Sequence, residues 1–364
     1  VHEFLSNYSE QGCIIYSTYQ SLKVISEAIA NTDIIFELII SDEAHKTTGS
    51  KTTIFGLIHD NVKIPAKRRL YMTATPRILS KNMKTRLSDD LEYIADMSNP
   101  EIYGHEFYRM SFKTAIEQNI LVDYKLLVIG VNNQDIKNKI SNGRLVDTDT
   151  TIADYAHSVA LSNTMVKYNA THAITFHTTV KRASDFSRRH KKISKLNNIY
   201  IDHVSGKQPT NERAQILTKF KDCSLGVLSN ARCLTEGVDV PSIDLVYFSD
   251  TKESKVDIVQ AVGRALRQSK EKQKTHGYIV VPIFFSPKDG VEKTVECGAF
   301  KNLINIVKAL CDQDERLQDE INNIRFNKIN SNNTAHLNID IGNNNINDLI
   351  ILEGFEEELR KSLF

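Results

Sequence analysis

The sequence has few cysteines and no long hydrophobic run, and these two shortages exclude whole classes of protein. Its 364 residues contain five cysteines, none of them in a C-x-x-C pair. An odd, scattered set of cysteines argues against a disulfide framework and a zinc site, and it predicts reduced thiols in a cytoplasmic protein. No apolar run approaches the ~20 residues that a transmembrane helix needs, so we expect no membrane span.

A surplus of one charge is also missing. Lysine and arginine total 46, aspartate and glutamate total 45, and the formal net charge is +1. Any contact with nucleic acid must therefore come from local basic patches and not from an overall field. The candidate patches are KRR at 67–69, RRHKK at 188–192 and KEKQK at 270–274. Each of these runs could instead be an ordinary solvated surface.

Short apolar segments alternate with amphipathic patterns along the chain, which predicts an α/β fold. Several of these segments are apolar throughout, as is typical of parallel strands buried on both faces. The predicted strands are 13–17, 36–41, 69–74, 124–131, 173–176, 225–229, 243–248 and 278–284. The predicted helices between them include 181–194, 211–222 and 255–268.

The elements fall into two groups, which predicts two domains. We expect a partial first domain over 1–110, a linker over 111–123, a second domain over 124–290 and a helical, asparagine-rich extension over 291–364. The polar segment from 327 to 348 is expected to be partly disordered, and the last eleven residues to form a short helix. The chain opens on Val1 and not on methionine, so we also expect it to be a piece of a longer protein.

The stretch SDEAH at 41–45 places two carboxylates and a histidine directly after an apolar run. Open α/β folds bind ligands at the carboxyl ends of their strands, which is where Asp42 would lie. An aspartate in this position can hold Mg²⁺ through water, and Glu43 can polarise an attacking water. The same letters also favour a simple helix start, because carboxylates interact well with a helix N-terminus.

Two further segments end apolar runs in small or polar residues. In LYMTATPR at 70–77, the hydroxyls of Thr73 and Thr75 could relay a hydrogen bond from the acidic residues, or the segment could be a strand and a proline turn. In the loop after residue 230, Gly237 would let the backbone approach a ligand and Asp239 could bond a ribose hydroxyl. An ordinary connection between a strand and a helix contains the same turn residues.

The segment VDIVQAVGRALRQ at 256–268 predicts a helix with two distinct faces. Ser254 with Asp257 resembles a capping box that starts it. The predicted buried stripe consists of Val256, Val259, Val262 and Leu266. The polar residues at i, i+4 and i+7 are Gln260, Arg264 and Arg267. We expect these three to share a face whose guanidinium groups suit a polyanion, although a solvated face would look the same.

The order and spacing of these motifs closely resemble superfamily 2 helicases. DEAH at 42–45, TATPR at 73–77, LTEGVDVP at 234–241 and QAVGRALR at 260–267 resemble the helicase motifs II, III, V and VI. STYQSL at 17–22 is similar to a motif that contacts nucleic acid, and AITFHTTVKRASDF at 173–186 is similar to motif IV. Within the superfamily, these segments resemble the motors of type I single-polypeptide restriction enzymes and the restriction subunits of type I and type III systems.

The resemblance implies two RecA-like parallel-sheet domains, the first one incomplete, with ATP and Mg²⁺ in the cleft between them. Its catalytic set would be Asp42, Glu43, His45, Gln260, Arg264 and Arg267, with Asp42 as the magnesium ligand. Nucleotide-contacting or coupling residues would be Thr73, Thr75, Gly237 and Asp239. Nucleic acid would contact Ser17, Thr18, Tyr19, Gln20 and Thr235. The expected partners are DNA and nuclease, methyltransferase or specificity modules, in the same chain or in another.

The phosphate loop of this family, G-x-G-K-[ST], does not occur before the STYQSL segment, where Gly12 is the only glycine. That loop supplies the backbone amides and the lysine that hold the β- and γ-phosphates. We therefore expect an N-terminally truncated motor that is inactive alone. One alternative is a non-catalytic nucleic-acid-binding module on a helicase scaffold. A third hypothesis is a metal-dependent nuclease that uses Asp42, Glu43, His45 and His59.

Overall fold

The computed structural model describes residue 3 and residues 12–50, 53–79, 94–132, 152–231, 243–251, 254–269, 274–285, 298–325 and 337–341. The chain divides into two compact units, Val1–Arg109 and Met110–Phe364. Nowhere in these ranges is a helix long and apolar enough to cross a membrane. The predicted C-terminal helix after residue 353 lies outside the described residues.

The first unit is built on a short parallel strand pair. Its elements are α1 (Leu22–Ile29), β1 (Ile39–Ser41), β2 (Gly49–Ser50), β3 (Arg69–Tyr71), β4 (Ile94–Ala95) and α2 (Pro100–Tyr103), with 3₁₀ turns at Tyr19–Ser21, Ala44–Thr47 and Phe55–His59. Strand β1 pairs with β3 in parallel, and β2 pairs with β4 antiparallel. The core under β1 and β3 contains Leu22, Ile58 and Ile64.

The predicted strand at 13–17 is wrong. Residues 13–18 have no regular secondary structure, and Ile14 and Tyr16 are 76% and 92% exposed. A strand needs a neighbour for its backbone groups. Within the described part of the first unit, β1 pairs only with β3, so this apolar stretch has no strand partner.

The second unit contains a seven-stranded sheet. Its elements are α3 (Phe112–Glu117), β5 (Asp123–Asn132), α4 (Ile152–Lys167), β6 (His172–Phe176), α5 (Val180–Ile193), β7 (Tyr200–Val204), α6 (Thr210–Asp222), β8 (Gly226–Asn230), β9 (Leu245–Phe248), α7 (Lys255–Ala265), β10 (His276–Phe285), α8 (Gly298–Cys311), α9 (Glu315–Arg325) and β11 (Leu337–Ile341). The strand order is β11-β5-β10-β9-β6-β8-β7, and every pairing is parallel. The predicted α/β class is confirmed.

Successive residues of the central strands point into two separate cores. Leu126 and Val128 belong to a core that α6, α7, α8 and α9 cover, whereas Leu127 belongs to a core covered by α4 and α5. Both faces of the sheet are therefore apolar, which explains why these strands read as continuous hydrophobic runs. Helices α8 and α9 come from the segment after residue 290, and they pack into the first of these cores through residues such as Leu303 and Leu310.

Some elements gave no sequence signal. Strand β7 lies at the edge of the sheet, and its polar residues Asp202 and His203 interrupt the apolar pattern. Strand β11 comes from the asparagine-rich segment and pairs with β5, with Leu337 opposite Leu126. The polar composition of that segment gave no indication of a strand. The strand forms because β5 supplies hydrogen-bond partners for its backbone.

Two buried histidines make the second unit sensitive to acid. Burial lowers the pKa of His190 to about 4 and that of His157 to about 3. His190 stacks on Phe186, and neither of its ring nitrogens has a hydrogen-bond partner among the described residues. The folded pKa lies below the unfolded value, so the unfolded chain binds more protons and stability falls as pH drops from about 6.5 to about 4.

We expect H190L to weaken this acid sensitivity. Each pH unit within the window costs the wild type about 1.4 kcal/mol through this group. Urea unfolding at pH 7 and at pH 4.5 should therefore show a smaller loss of unfolding free energy in H190L than in the wild type. An equal loss in both proteins would contradict the assignment.

Gly277 is required where β10 begins, because the end of α7 leaves no room for a side chain. A Cβ atom there would lie 2.6 Å from the Ala265 carbonyl oxygen and 2.6 Å from Leu266. We expect G277A to lower the unfolding free energy by about 1–3 kcal/mol in urea titrations. Gly263 has nothing within 4 Å of the same position, so G263A is the matched control and should stabilise helix α7 by about 0.5–1 kcal/mol. Equal effects of the two substitutions would disprove the steric argument.

Candidate functional site

The acidic motif lies directly after the carboxyl end of β1. Asp42 follows the last residue of that strand and is exposed, as the sequence pattern predicted. Its carboxylate Oδ1 accepts a hydrogen bond from the backbone N–H of Glu43 at 2.9 Å. The next residues form the 3₁₀ turn Ala44–Thr47. The motif therefore both ends a strand and starts a helical turn.

Glu43 has a left-handed backbone, with φ 51° and ψ 42°. A non-glycine residue in this region costs on the order of 1 kcal/mol, so surrounding contacts must hold it there. The Ala44 N–H donates to the Met72 carbonyl at 2.9 Å, and the Met72 N–H donates to the Ser41 carbonyl at 2.9 Å. These bonds tie the turn to the residue after β3. The resulting conformation brings the Glu43 carboxylate to 3.3 Å from His45 Nδ1.

His45 connects the acidic turn to the TATPR segment. Its Nδ1 lies 3.0 Å from the hydroxyl of Thr73, and its ring is buried. The Thr73 hydroxyl also accepts from the Thr75 N–H at 3.2 Å. The Thr75 hydroxyl is buried, without a hydrogen-bond partner in the described part of the chain. The structure thus joins the two predicted motifs through Thr73 and not through Thr75.

One residue of the STYQ segment, Tyr19, is less exposed than its neighbours. Ser17, Thr18 and Gln20 are exposed, whereas Tyr19 is half-buried. The Tyr19 hydroxyl donates to the Asp42 carbonyl oxygen at 2.6 Å. The two motifs are therefore in direct contact, although 23 residues separate Tyr19 from Asp42.

His59, which the nuclease hypothesis used, is engaged elsewhere. Its Nδ1 lies 2.9 Å from the Tyr71 hydroxyl, and its ring packs against Tyr71 and Tyr103. Among the described residues, no group of three or more His, Cys, Asp and Glu side chains is arranged so that it could hold a metal ion. A magnesium ion held by one carboxylate and by phosphate oxygens needs no such group.

In the second unit, the predicted common face of Gln260, Arg264 and Arg267 is wrong. Ser254 caps helix α7 as predicted, accepting from the Asp257 N–H, but the helix ends at Ala265. Arg264 is buried in its last turn, and Arg267 is exposed beyond it, in a β-bridge with Leu121. The helix ends where the Leu266 carbonyl accepts from the Val122 N–H at 2.8 Å, a bond that ties the chain after α7 to the residue before β5.

Lys274 holds this end of helix α7. Its ammonium donates to the carbonyls of Ile243 and Ala265, and to that of Arg267 at 3.2 Å. The sequence suggested only a basic surface run at 270–274, and it gave no sign of this contact. A lysine shortly after a helix is a weak signal for one that caps the C-terminal carbonyls.

Asp250 is a second residue that the sequence did not single out. It follows β9, and its carboxylate accepts from the Thr178 N–H at 2.8 Å and from the Arg182 guanidinium at 2.5 Å. Its backbone carbonyl accepts from the Asn302 side chain at 3.2 Å. Asp250 therefore connects the start of α5, within the motif IV-like segment, to helix α8. The predicted contacts Thr235, Gly237 and Asp239 lie outside the described residues.

Two family models match the chain, one in each unit. Residues 3–78 match the type III restriction enzyme res subunit, and residues 156–269 match the helicase conserved C-terminal domain. A probable helicase of African swine fever virus is 25% identical over 313 residues, which cover 85% of this chain and 32% of that protein.

The similarity to solved structures is also extensive. The ATP-dependent type ISP restriction-modification enzyme LlaBIII, solved bound to DNA, matches 96% of this chain with a TM-score of 0.78 and 27% identity. The match covers 25% of that enzyme. A nuclease-deletion mutant of the related enzyme LlaGI, at 23% identity and a TM-score of 0.55, shows the same fold.

The fold and the two family models define a protein with RecA-like parallel sheets, of the helicase and translocase ATPase type. The chain resembles superfamily 2 helicases and, among them, the motors of restriction systems. It spans about a third of the viral relative and a quarter of LlaBIII.

We expect K274M to destabilise the second unit, because three carbonyls would lose a charged donor. Hydrogen bonds to charged groups contribute about 1.5–3 kcal/mol, so the unfolding free energy in urea should fall by about that amount. K191M, which changes an exposed lysine of α5, is the matched control and should stay within about 0.5 kcal/mol of the wild type. A K274M protein as stable as K191M would contradict the capping role.

Proposed function

We propose that the chain is part of a nucleic-acid-dependent ATPase motor, a helicase or double-strand DNA translocase, in a restriction or phage-defence system. The observation that carries this proposal is the contact of His45 with Thr73, at 3.0 Å, beside the turn that contains Asp42 and Glu43. It links the residues proposed to meet ATP with Thr73, which lies just after the end of β3. A simple helix start would need no such link.

In this proposal, ATP and Mg²⁺ are the cofactors. Asp42 is the magnesium ligand, and its exposed position after β1 suits a hard cation that keeps several waters. Glu43 activates the attacking water, and its fixed left-handed backbone defines where its carboxylate points. His45, Thr73 and Thr75 couple this site to bound nucleic acid.

The second unit supplies the groups that meet the phosphates and the nucleotide. Arg267 is proposed as the arginine finger, because it is exposed and its backbone is fixed by Leu121 and Lys274. The family resemblance assigns Arg264 and Gln260 to the same reaction, and Arg264 is buried in the last turn of helix α7. Gly237 and Asp239 contact the nucleotide.

DNA is the proposed nucleic acid, because the similar enzyme LlaBIII was solved bound to DNA. Ser17, Thr18, Gln20 and Thr235 would contact its backbone, and phosphate contacts of this kind position a strand without reading its sequence. Nuclease, methyltransferase or specificity modules in the longer protein or in a partner chain would complete the system. The match covers a quarter of LlaBIII.

The test is steady-state ATP hydrolysis by the full-length protein, with and without double-stranded DNA. The full-length protein is used because residues 1–364 contain no G-x-G-K-[ST] loop. E43Q should lower DNA-stimulated turnover roughly 10²–10⁴-fold through loss of the base, and R267A about 10³–10⁵-fold through loss of the finger. Both variants should keep the wild-type circular dichroism spectrum.

E37Q is the matched control, since Glu37 is an exposed carboxylate that pairs with Lys67 before β1. It should hydrolyse ATP at the wild-type rate. Wild-type turnover in E43Q or in R267A would contradict the proposed roles. A full-length wild type that binds DNA but hydrolyses no ATP would instead indicate a non-catalytic binding module.

A further inference from the structure

Tyr19 points inward from a segment whose other side chains point to solvent. Ser17, Thr18 and Gln20 are exposed. The Tyr19 ring instead packs against Phe55, at 5.5 Å between ring centroids, and against the core of the first unit. The Tyr19 ring is therefore engaged by protein contacts, in contrast to the exposed side chains on either side of it.

The Tyr19 hydroxyl holds the peptide that joins the two carboxylate residues. It donates to the Asp42 carbonyl at 2.6 Å, while the N–H of the same peptide, from Glu43, donates to Asp42 Oδ1 at 2.9 Å. Both polar groups of this peptide are thus engaged, one by Tyr19 and the other by the Asp42 side chain. The orientation of this peptide determines where both carboxylates point, since it lies between the two α-carbons.

The peptide between Asp42 and Glu43 needs an external support, because Glu43 has a left-handed backbone that non-glycine residues rarely adopt. The bond from the Tyr19 hydroxyl supplies such a support.

The exposed neighbours of Tyr19 are mechanically connected to it. Thr18 has an extended backbone and precedes the 3₁₀ turn Tyr19–Ser21, which runs directly into helix α1. Its hydroxyl lies 3.1 Å from that of Ser21, so the turn is braced across its first residues. A phosphate contact at Ser17, Thr18 or Gln20 would therefore change the position of the Tyr19 backbone and ring.

We propose that Tyr19 is a positioning residue, which transmits nucleic-acid binding at its exposed neighbours to Asp42 and Glu43 through its bond to the Asp42 carbonyl. This inference rests on the proposed function, since it takes that segment as the DNA contact and those carboxylates as the ATPase site. It assigns to Tyr19 a role in coupling and not a contact with DNA.

The test is Y19F in the full-length protein, because it removes the hydroxyl and keeps the ring on Phe55. One net hydrogen bond corresponds to roughly a three- to tenfold change in rate, so DNA-stimulated turnover should fall by about that factor. The Mg²⁺ concentration for half-maximal hydrolysis should rise a few-fold. The dissociation constant for DNA, measured by fluorescence anisotropy, should change less than about twofold. Y16F is the matched control, since Tyr16 is 92% exposed, and it should leave all three quantities unchanged.

A second measurement needs no variant. In the wild type, DNA binding should slow amide hydrogen exchange in a peptide that contains residues 42–47, because coupling would rigidify the turn. Unchanged exchange on DNA binding would overturn the inference, and so would wild-type turnover and Mg²⁺ dependence in Y19F. A Y19F protein with weaker DNA binding but normal turnover when saturated would show that Tyr19 contacts DNA itself. Wild-type ATP turnover in E43Q would separately show that the proposed function is wrong.

Discussion

Parallel strand pairing is the constraint on which the candidate site in the first unit depends. With Ser41 opposite Tyr71, β1 and β3 end at the same edge. The residues that follow the two strands must then lie side by side, and both contain polar motifs. The His45–Thr73 contact and the bonds between the acidic turn and Met72 follow from this register. A shift of one residue would exchange the faces of the strand and separate these groups.

The second unit satisfies the same constraint on a larger scale. Seven parallel strands are covered by helices on both faces, so the sheet interior is apolar and polar groups collect at strand ends and helix ends. Asp250 and Lys274 are examples of this arrangement. Each binds several backbone or side-chain groups at the end of an element, Asp250 near the motif IV-like segment and Lys274 at the end of α7. The contacts of Lys274 fix the end of α7 and thereby help to determine where Arg264 and Arg267 lie.

The division of roles within short motifs is a common feature of the two units. In STYQ, one inward tyrosine lies among three exposed residues, and in the QAVGRALR segment Arg264 is buried while Arg267 is exposed. A motif that is continuous in sequence therefore has a solvent side and a protein side. This arrangement lets one short segment both meet a ligand and contact a neighbouring motif, as the Tyr19–Asp42 bond illustrates.

The sequence alone determined the α/β class, most of the strands and the resemblance to superfamily 2 helicases, because buried parallel strands read as apolar runs and the motifs keep their order. It did not determine strand β7, which lies at the edge of the sheet, or the irregular path of residues 13–18, which have no strand partner among the described residues. It also did not determine the early end of α7, which is followed by a bridge between Arg267 and Leu121. The hydrogen bonds of Tyr19 and Lys274 were also invisible. Their acceptors lie between 7 and 31 residues away along the chain. Only the tertiary structure decides such contacts, because strand pairing and helix packing set distances that local sequence periodicity does not encode.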